Sequence, residues 1–281
     1  MGEHETIPRT VMSPLSDDPQ AVPILPAATV MILRDGPSGL EVFMQQRNHG
    51  SQFVAGLHVF PGGGVDPQDG DPAMIERCAG RSDQDASHRV GEETGGLAYW
   101  AASIRETFEE AGLLLAYRED GSPVRLDEPD MARRFAQHRV EVDQGRRTLL
   151  EVCEAEQLRL ATDTMHYHSR WITPLGPKRR YDTRFFVAPA PADQVASNDA
   201  REAIADLWTS PVEALERYAA GDLGMITPTL LSLTDLAEHA TVASVLDATA
   251  PYRDVPAILP KRIVDESGER VVLPGEPGYD T

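Results

Sequence analysis

Three glutamates in one short segment are the residues of this chain best suited to chemistry. Glu106, Glu109 and Glu110 follow Arg105 within residues 105–112. On a helix, positions i, i+3 and i+4 share one face, so the three carboxylates would lie together and repel one another. Arg105 can pair with Glu109 one turn later, but one arginine cannot neutralise three acids. We therefore predict that this face binds a divalent cation, Mg2+ or Mn2+, because hard cations prefer carboxylate oxygens.

A glycine-rich turn at residues 58–64 precedes the acidic segment. Gly62, Gly63 and Gly64 allow the backbone to approach a ligand or a metal ion more closely than a side chain would permit. An acidic segment on its own is more often a solvated helix face than a site. The turn and the acidic segment together favour a metal site over ordinary surface charge.

A helix is predicted to carry the acidic face. The apolar residues that recur at helical spacing beside it are Ala101, Ile104, Phe108, Ala111 and Leu115. This periodicity indicates one buried stripe next to the acidic one. Gly112 suits the left-handed position that follows a helix. Residues 113–115 form an apolar run that is expected to open a strand.

The two motifs together resemble the box of the Nudix hydrolases, which cleave a nucleoside diphosphate linked to another group. The resemblance implies four metal-binding positions: Gly62 through its carbonyl, Glu106, Glu109 and Glu110. It also implies that Arg105 orients the acidic turn and that Gly63 opens the box. The general base is left open between Glu106 and Glu109. Candidates of lower weight further downstream are Glu202, Asp206, His166 and His168.

An insert between the two halves of the box is the main departure from the family. Gly63 and Arg105 are 42 positions apart. The usual spacing is about 14, so roughly 28 residues are inserted, which loop closure tolerates at modest entropic cost. This insert, about residues 65–97, displaces the family's upstream glutamate. Counting forward from Gly63 reaches Asp69, and counting back from Arg105 reaches Leu97. The candidates for its substitute are Asp66, Asp69, Glu92 and Glu93.

A split box of this kind resembles one branch of the family, the acyl-CoA diphosphatases. The residues in register with that branch's coenzyme A signature are Phe43, Met44, Arg47, Gly56, Phe60, Pro61, Gly62 and Gly63. Gln45, Asn48 and Gln52 depart from it. Residues 171–174 and 180–186 also resemble this branch, so the resemblance covers most of residues 25–240. It implies that Arg47 and Gly63 contact the substrate.

The densest basic cluster of the chain lies in the downstream segment and contains Lys178, Arg179, Arg180 and Arg184. A guanidinium group can bind phosphate oxygens through two parallel hydrogen bonds. We therefore predict that Arg180 or Arg184 contacts a substrate phosphate. The alternative is that these residues line a hairpin and stay solvated.

The motifs and the resemblance predict a metal-dependent hydrolase, a diphosphatase that cleaves a nucleoside diphosphate derivative, with coenzyme A or acyl-CoA as the first choice. ADP-ribose, dinucleotides and nucleotide triphosphates are alternatives, because the box fixes the bond that is cleaved and says little about the leaving group. A non-catalytic Nudix-fold sensor of a metabolite is a second class. Three intact glutamates speak against it, since a pure binder has no need of a repulsive metal site.

The composition fits a compact enzyme that acts on a small molecule. The chain has 281 residues, 41% of them hydrophobic, and a net charge of -19. Nucleic-acid binding is not expected, because it requires a basic surface. The apolar stretch at residues 21–33 is too short to cross a membrane, and no secretory signal precedes it. The two cysteines, Cys78 and Cys153, lack metal-ligand spacing and suit a reducing compartment. The cytoplasm is the predicted location.

The remaining elements are predicted from periodicity and capping residues. Strands are expected at residues 27–34, 40–47, 166–173, 181–188 and 204–209, the first two as a hairpin. Helices are expected after Asp71, at residues 129–139 and 146–156, after Ser210 and after Thr227. Residues 82–96 show no periodicity. This order predicts an α/β fold, and the resemblance implies the Nudix fold, an α/β/α sandwich with a mixed sheet, helical additions and an irregular C-terminal tail.

The predicted domain organisation has three parts. Residues 1–20 are polar and are expected to form a flexible arm. Residues 21–250 form the Nudix domain, and residues 251–281 form the tail. Apolar residues in the tail, such as Ile258 and Leu259, would otherwise expose apolar surface. The tail is therefore expected to cover the domain or a partner subunit, which leaves a homodimer open.

Overall fold

The computed structural model describes residues 15–48, 56–198, 203–252, 254–265 and 268–280. Within these residues the strands are β1 (Ile24–Gly36), β2 (Gly39–Arg47), β3 (His58–Val59), β4 (Gly62–Gly64), β5 (Ala116–Arg118), β6 (Leu158–Leu160), β7 (His166–Ile172), β8 (Arg180–Pro189), β9 (Ala203–Thr209), β10 (Ala257–Ile258), β11 (Lys261–Asp265) and β12 (Gly268–Val272). The α-helices are α1 (Pro72–Glu76), α2 (Asp83–Val90), α3 (Leu97–Ala111), α4 (Pro129–Asp143), α5 (Leu149–Glu156), α6 (Pro211–Ala219), α7 (Thr227–Leu236) and α8 (Val242–Thr249).

Eight strands form one mixed sheet, with β1 near its centre. β1 pairs antiparallel with β2 and parallel with β8. The main order is β10-β7-β8-β1-β2-β3, with β4 beside β1 and β9 beside β2. The predicted hairpin is confirmed, because Gly36 lies opposite Gly39 in the β1–β2 register. The sheet therefore brings the glycine turn of β4 next to the central strand.

Alternating side chains of the central strands build two apolar cores, one on each face of the sheet. Ala28, Val30 and Ile32 of β1 point to the face that carries α3. Met31 and Leu33 point to the opposite face, where they pack with residues of α6, α7 and α8. Since side chains of a strand alternate between faces, one strand serves both cores. The predicted α/β/α sandwich with a mixed sheet is confirmed.

Most predicted elements agree with the structure, and two of the differences lie after α3 and after α7. The strand expected to open at residues 113–115 begins at Ala116, because the preceding leucines are buried in the link that follows α3. Helix α8 was not among the predicted elements. It begins after Thr241, whose hydroxyl accepts a hydrogen bond from the amide of Ser244. The side chain of Ser210 caps α6 as predicted, accepting from the amide of Glu213.

The insert is an ordered part of the domain. Asp71 caps α1 as predicted, accepting a hydrogen bond from the amide of Ala73. Residues 82–96 show no periodicity in the sequence, but they contain α2. This helix is capped by Ser82 and ends at Gly91, which adopts a left-handed conformation with φ 73°. Both end signals were present in the sequence, but the polar helix between them has only a short apolar face.

The C-terminal tail is more regular than predicted and packs on its own chain. β10 joins the main sheet beside β7, and β11 pairs with β12 as a separate hairpin. Val271 and Val272 are buried, while Ile258 and Leu273 pack against the second core. These contacts bury apolar side chains of the tail that would otherwise be exposed.

No helix in the described part of the chain is both long and apolar enough to cross a lipid bilayer. The predicted flexible arm lies largely outside the described residues. The three-part division of the chain stays a prediction.

Candidate active site

Helix α3 carries the acidic segment across the face of the sheet. Ile104 and Phe108 on its apolar side are buried in the first core, as the periodicity predicted. The helix ends at Gly112, which has a left-handed φ of 69° and donates its amide hydrogen to the carbonyl of Phe108. A residue with a side chain would be strained in that conformation. The helix end is therefore fixed directly after Glu109 and Glu110.

Arg105 is the buried centre of the site. Its Nε and Nη2 atoms donate to the two carboxylate oxygens of Asp69 at 2.9 and 3.0 Å. Nη2 also donates to the carbonyl oxygen of Gly64 at 2.9 Å, and Nη1 to Glu106 Oε1 at 2.8 Å. The side chains of Arg105 and Asp69 are only 4% and 1% exposed. This one guanidinium thus joins the glycine turn, the insert and the acidic face.

Asp69, one of the candidates for the substitute of the upstream glutamate, pairs with Arg105 through two hydrogen bonds. It is the candidate reached by counting forward from Gly63, and it lies in the short 3-10 turn Pro67–Gly70. Burial raises the pKa of the Asp69 carboxyl, while the hydrogen bonds from Arg105 oppose that rise. Asp66 reaches Arg105 only at 3.7 Å and is 55% exposed. Glu92 contacts a different arginine, Arg184.

Glu110 is held between β4 and β2. Its Oε2 accepts a hydrogen bond from the amide of Gly62 at 3.0 Å, and its Oε1 lies 3.8 Å from Nη1 of Arg47. A Cβ atom on Gly62 would lie 2.5 Å from the carbonyl oxygen of Ala28, so a side chain does not fit there. The structure therefore brings together Gly62, Arg47 and Glu110.

Glu106 faces Gly63. A Cβ atom on Gly63 would lie 2.5 Å from Glu106 Oε1, so the glycine is needed for this close approach. Glu109 lies near both Glu106 and Arg105, with Arg105 Nη1 at 3.5 Å from its carboxylate oxygens. Burial, together with the charge of Glu106, raises the pKa of Glu109 from 4.5 to about 7, and Arg105 opposes the rise. A negative charge on Glu109 is therefore unfavourable at this position.

The oxygen atoms of the site are the right type for a hard divalent cation, although the side chains are not gathered around one point. Across the described ranges, no group of three or more His, Cys, Asp or Glu side chains is arranged to hold a metal ion. Glu106 and Glu109 contact Arg105, and Glu110 contacts Gly62. Binding of an ion by all three would therefore require these carboxylates to turn on the helix face.

The insert caps the N-terminus of α3. Asp83 accepts hydrogen bonds from the amides of Leu97 and Gly95, each at 2.9 Å. Ser87 Oγ accepts from the amide of Gly96 at 2.8 Å. These contacts satisfy amide groups that a helix start leaves without partners, and the carboxylate suits the positive end of the helix dipole. Local spacing does not predict these caps, because 12 to 14 positions separate Asp83 from its partners.

The predicted phosphate-binding arginines are committed to other contacts. Arg184 is 1% exposed; its guanidinium contacts Asp182 at 2.8 Å and Glu92 at 2.5 Å, and it stacks on the ring of Tyr99. Arg180 is buried and donates to the carbonyl oxygen of Thr173. Lys178 and Arg179 are exposed. A phosphate contact by Arg180 or Arg184 stays a prediction, and these partners weigh against it.

The downstream candidates for a general base have structural partners. His166 Nδ1 donates to the carbonyl oxygen of Leu246 at 3.0 Å and lies 3.2 Å from the hydroxyl of Thr249, and burial lowers the pKa of His166. His168 Nδ1 lies 3.0 Å from the hydroxyl of Ser169. Asp206 accepts from the amide of Asn198. Glu202 and Gln52 lie outside the described residues.

A family model described as the NUDT19 Nudix domain matches residues 71–236. The matched range contains α3 and the strands β5 to β9, and it begins after the glycine turn. Proteins named acyl-coenzyme A diphosphatase NUDT19 are similar to the chain. The human protein is 28% identical over an alignment of 234 residues, and the match covers 73% of this chain and 62% of that protein. The chicken (Gallus gallus) protein is 27% identical over an alignment of 281 residues, and the match covers 87% of this chain and 74% of that protein. The chain thus spans less than two thirds of the human relative.

A solved structure of a NUDIX hydrolase from Alicyclobacillus acidocaldarius has the same fold, with a TM-score of 0.67 at 25% identity. The match covers 83% of this chain and 100% of the other. The mixed sheet and its flanking helices are therefore shared with a solved relative over its whole length.

Proposed function

Because the chain belongs to the NUDT19 Nudix-domain family, we propose that it is a diphosphatase that cleaves the diphosphate bond of coenzyme A or acyl-CoA. The names of the human, chicken and frog (Xenopus laevis) relatives support this substrate. The observation that carries the proposal is the position of three glutamates of α3 against a bare glycine turn, with Arg105 and Asp69 behind them.

The residues fit a divalent cation, Mg2+ or Mn2+. Glu106, Glu109 and Glu110 supply carboxylate oxygens, and the carbonyl of Gly62 is the proposed fourth ligand. The raised pKa of Glu109 supports the fit, because a neighbouring cation would relieve the cost of its charge. When bound, such an ion supplies positive charge to the diphosphate oxygens and favours the ionisation of water.

The roles of the chain's own residues follow from their contacts. Arg105 fixes the acidic turn from behind, and Gly63 leaves room for Glu106. Glu106 or Glu109 accepts the proton of the attacking water. The water oxygen bonds to one phosphorus while the bridging oxygen leaves with the other phosphate. Such a reaction depends on positioning and charge stabilisation more than on a covalent intermediate, so no serine or cysteine nucleophile is required.

Among the basic residues of the chain, Arg47 is the one that we propose contacts the substrate. It lies on β2 at the edge of the site, 3.8 Å from Glu110, with its side chain 21% exposed. Arg47 is therefore more accessible to a ligand than Arg184, whose side chain is 1% exposed.

We also propose a cytoplasmic location and a small-molecule substrate. Cys78 and Cys153 are both free and buried, and burial raises the pKa of each thiol to about 12. Unreactive, unpaired thiols are compatible with a reducing compartment. A homodimer stays a prediction.

The test is incubation of the chain with coenzyme A, acyl-CoA, ADP-ribose, a dinucleotide and a nucleotide triphosphate, each with Mg2+ or Mn2+. We expect coenzyme A to yield phosphopantetheine and adenosine 3′,5′-bisphosphate, with the E110Q variant as the inactive control. Preferred cleavage of another compound would assign a different substrate. Binding without cleavage of any compound would contradict the enzyme and favour the sensor.

A further inference from the structure

We infer that Arg139 of α4 is a positioning residue for the metal-binding turn, an inference that rests on the proposed function. Arg139 lies outside the glycine turn and the acidic segment, and it approaches α3 from the side of the backbone. Its Nε donates to the carbonyl oxygen of Glu109 at 2.8 Å, and its Nη2 to the carbonyl oxygen of Glu110 at 2.7 Å. These are the backbone groups of two proposed metal-binding residues.

The last four carbonyl groups of a helix have no partner within the helix, and in α3 all four are satisfied. Phe108 accepts from the amide of Gly112, and Ala111 accepts from the amide of Ser197. Arg139 serves the two carbonyls between them. The turn that bears Glu109 and Glu110 is therefore held by groups from outside the helix.

Gln45 of β2 strengthens the same attachment. It is 1% exposed, and its side-chain amide donates to the carbonyl oxygen of Glu110 at 2.8 Å. This residue departs from the coenzyme A signature, and the structure gives it a role in the position of α3. The carbonyl of Glu110 thus receives two side-chain donors, one from β2 and one from α4.

The guanidinium of Arg139 has two properties that another side chain would not combine. Its planar fork reaches two successive carbonyl oxygens, and its positive charge suits the negative end of the helix dipole. Without Arg139, the last turn of α3 would lose its two hydrogen bonds to this side chain. The backbone of Glu109 and Glu110, from which the carboxylates extend, would then be held less firmly. Partners of metal ligands commonly change metal affinity by about 10- to 100-fold when replaced.

The charge of Arg139 and its positioning role predict opposite effects on metal binding when Arg139 is replaced. Removal of a nearby positive charge would, by charge alone, tighten the binding of a cation. Loss of position would weaken it. The variant R139M removes the fork and the charge, whereas R139K keeps the charge and removes the fork. Arg133 on the same helix is the matched control, since its side chain is 73% exposed and pairs only with the exposed Asp130 among the contacts of the described residues.

The experiment measures Mn2+ binding to the full chain by the loss of the electron paramagnetic resonance signal of free Mn2+. We expect the dissociation constant to rise about tenfold or more in both R139M and R139K, and to stay unchanged in R133M. Thermal unfolding of each variant checks that it is folded. If R139M does not fold, the Mn2+ affinity of R139K alone tests the inference. In R139K, excess Mn2+ should restore much of the turnover.

Wild-type affinity in R139K, or equal or tighter binding in folded R139M, would overturn the inference while leaving the proposed function intact. A wild-type chain that binds no Mn2+ would contradict both.

Discussion

Replacement of Asp69 by asparagine should destabilise the metal-free protein strongly. Asp69 accepts hydrogen bonds from Arg105 Nε, Arg105 Nη2 and the amide of Asp66. An asparagine side chain keeps one acceptor oxygen, and its NH2 group must then face one of these donors. Removal of one partner from a buried ion pair costs about 3–5 kcal/mol. We expect about 3 kcal/mol, the lower end, because Glu106 and Glu109 still compensate the charge of Arg105.

The assay is thermal or urea unfolding of wild type, D69N and D66N in the presence of a chelator. A loss of about 3 kcal/mol lowers the melting temperature by about 6–12 °C in a domain of this size. Asp66 contacts the same arginine at 3.7 Å but is 55% exposed, so D66N should cost less than about 1 kcal/mol. The reasoning would be refuted if D69N unfolded with wild-type stability, or if both variants lost the same stability.

Four further predictions follow from the site. At pH 8, metal-free E109Q should be more stable than wild type by up to about 3 kcal/mol, because the folded wild type must then hold a charged Glu109 whose pKa is raised from 4.5 to about 7. Protonation of Glu109 stabilises the folded wild type at low pH, and this stabilisation is lost as pH rises through that interval. The unfolding curves of E109Q and wild type at pH 5 should therefore nearly coincide. E110Q should lower turnover by orders of magnitude while circular dichroism remains that of wild type, since a glutamine oxygen can still accept from the amide of Gly62; near wild-type hydrolysis would contradict the assignment. Mg2+ should raise the melting temperature of wild type. At a concentration of one hundred times its dissociation constant, Mg2+ should add about 2.7 kcal/mol to the free energy of unfolding, and the E109Q variant should gain less. An equal gain in wild type and E109Q would place the ion elsewhere. G63A should reduce activity because the added methyl group would meet Glu106 Oε1 at 2.5 Å; an unchanged steady-state rate would show that the close approach is dispensable.

The sequence alone was sufficient for features that depend on local spacing. The face of α3, its end at Gly112 and the hairpin of β1 and β2 follow from periodicity and turn residues, and the structure confirms them. Helix α2 was missed although Ser82 and Gly91 mark its ends. A short polar helix gives little periodic signal, and its stability comes from packing against the rest of the domain.

Contacts between distant segments could not be predicted from spacing. Asp69 was one of four candidates to replace the family's upstream glutamate, because the insert made counting from either motif ambiguous. Arg139 lies 29 positions beyond Glu110, so no motif joins them. The charge of Arg184 suggested a phosphate contact, but only the fold reveals that Glu92 of the insert and Asp182 compensate it.

The binding of a divalent ion at the acidic face of α3 is the central claim, and a crystal soaked in Mn2+ tests it most directly. We expect an anomalous difference peak in contact with the carboxylates of Glu106, Glu109 and Glu110, beside the backbone of Gly62. A crystal without such a peak, in which these side chains point into solvent, would contradict the proposed hydrolase.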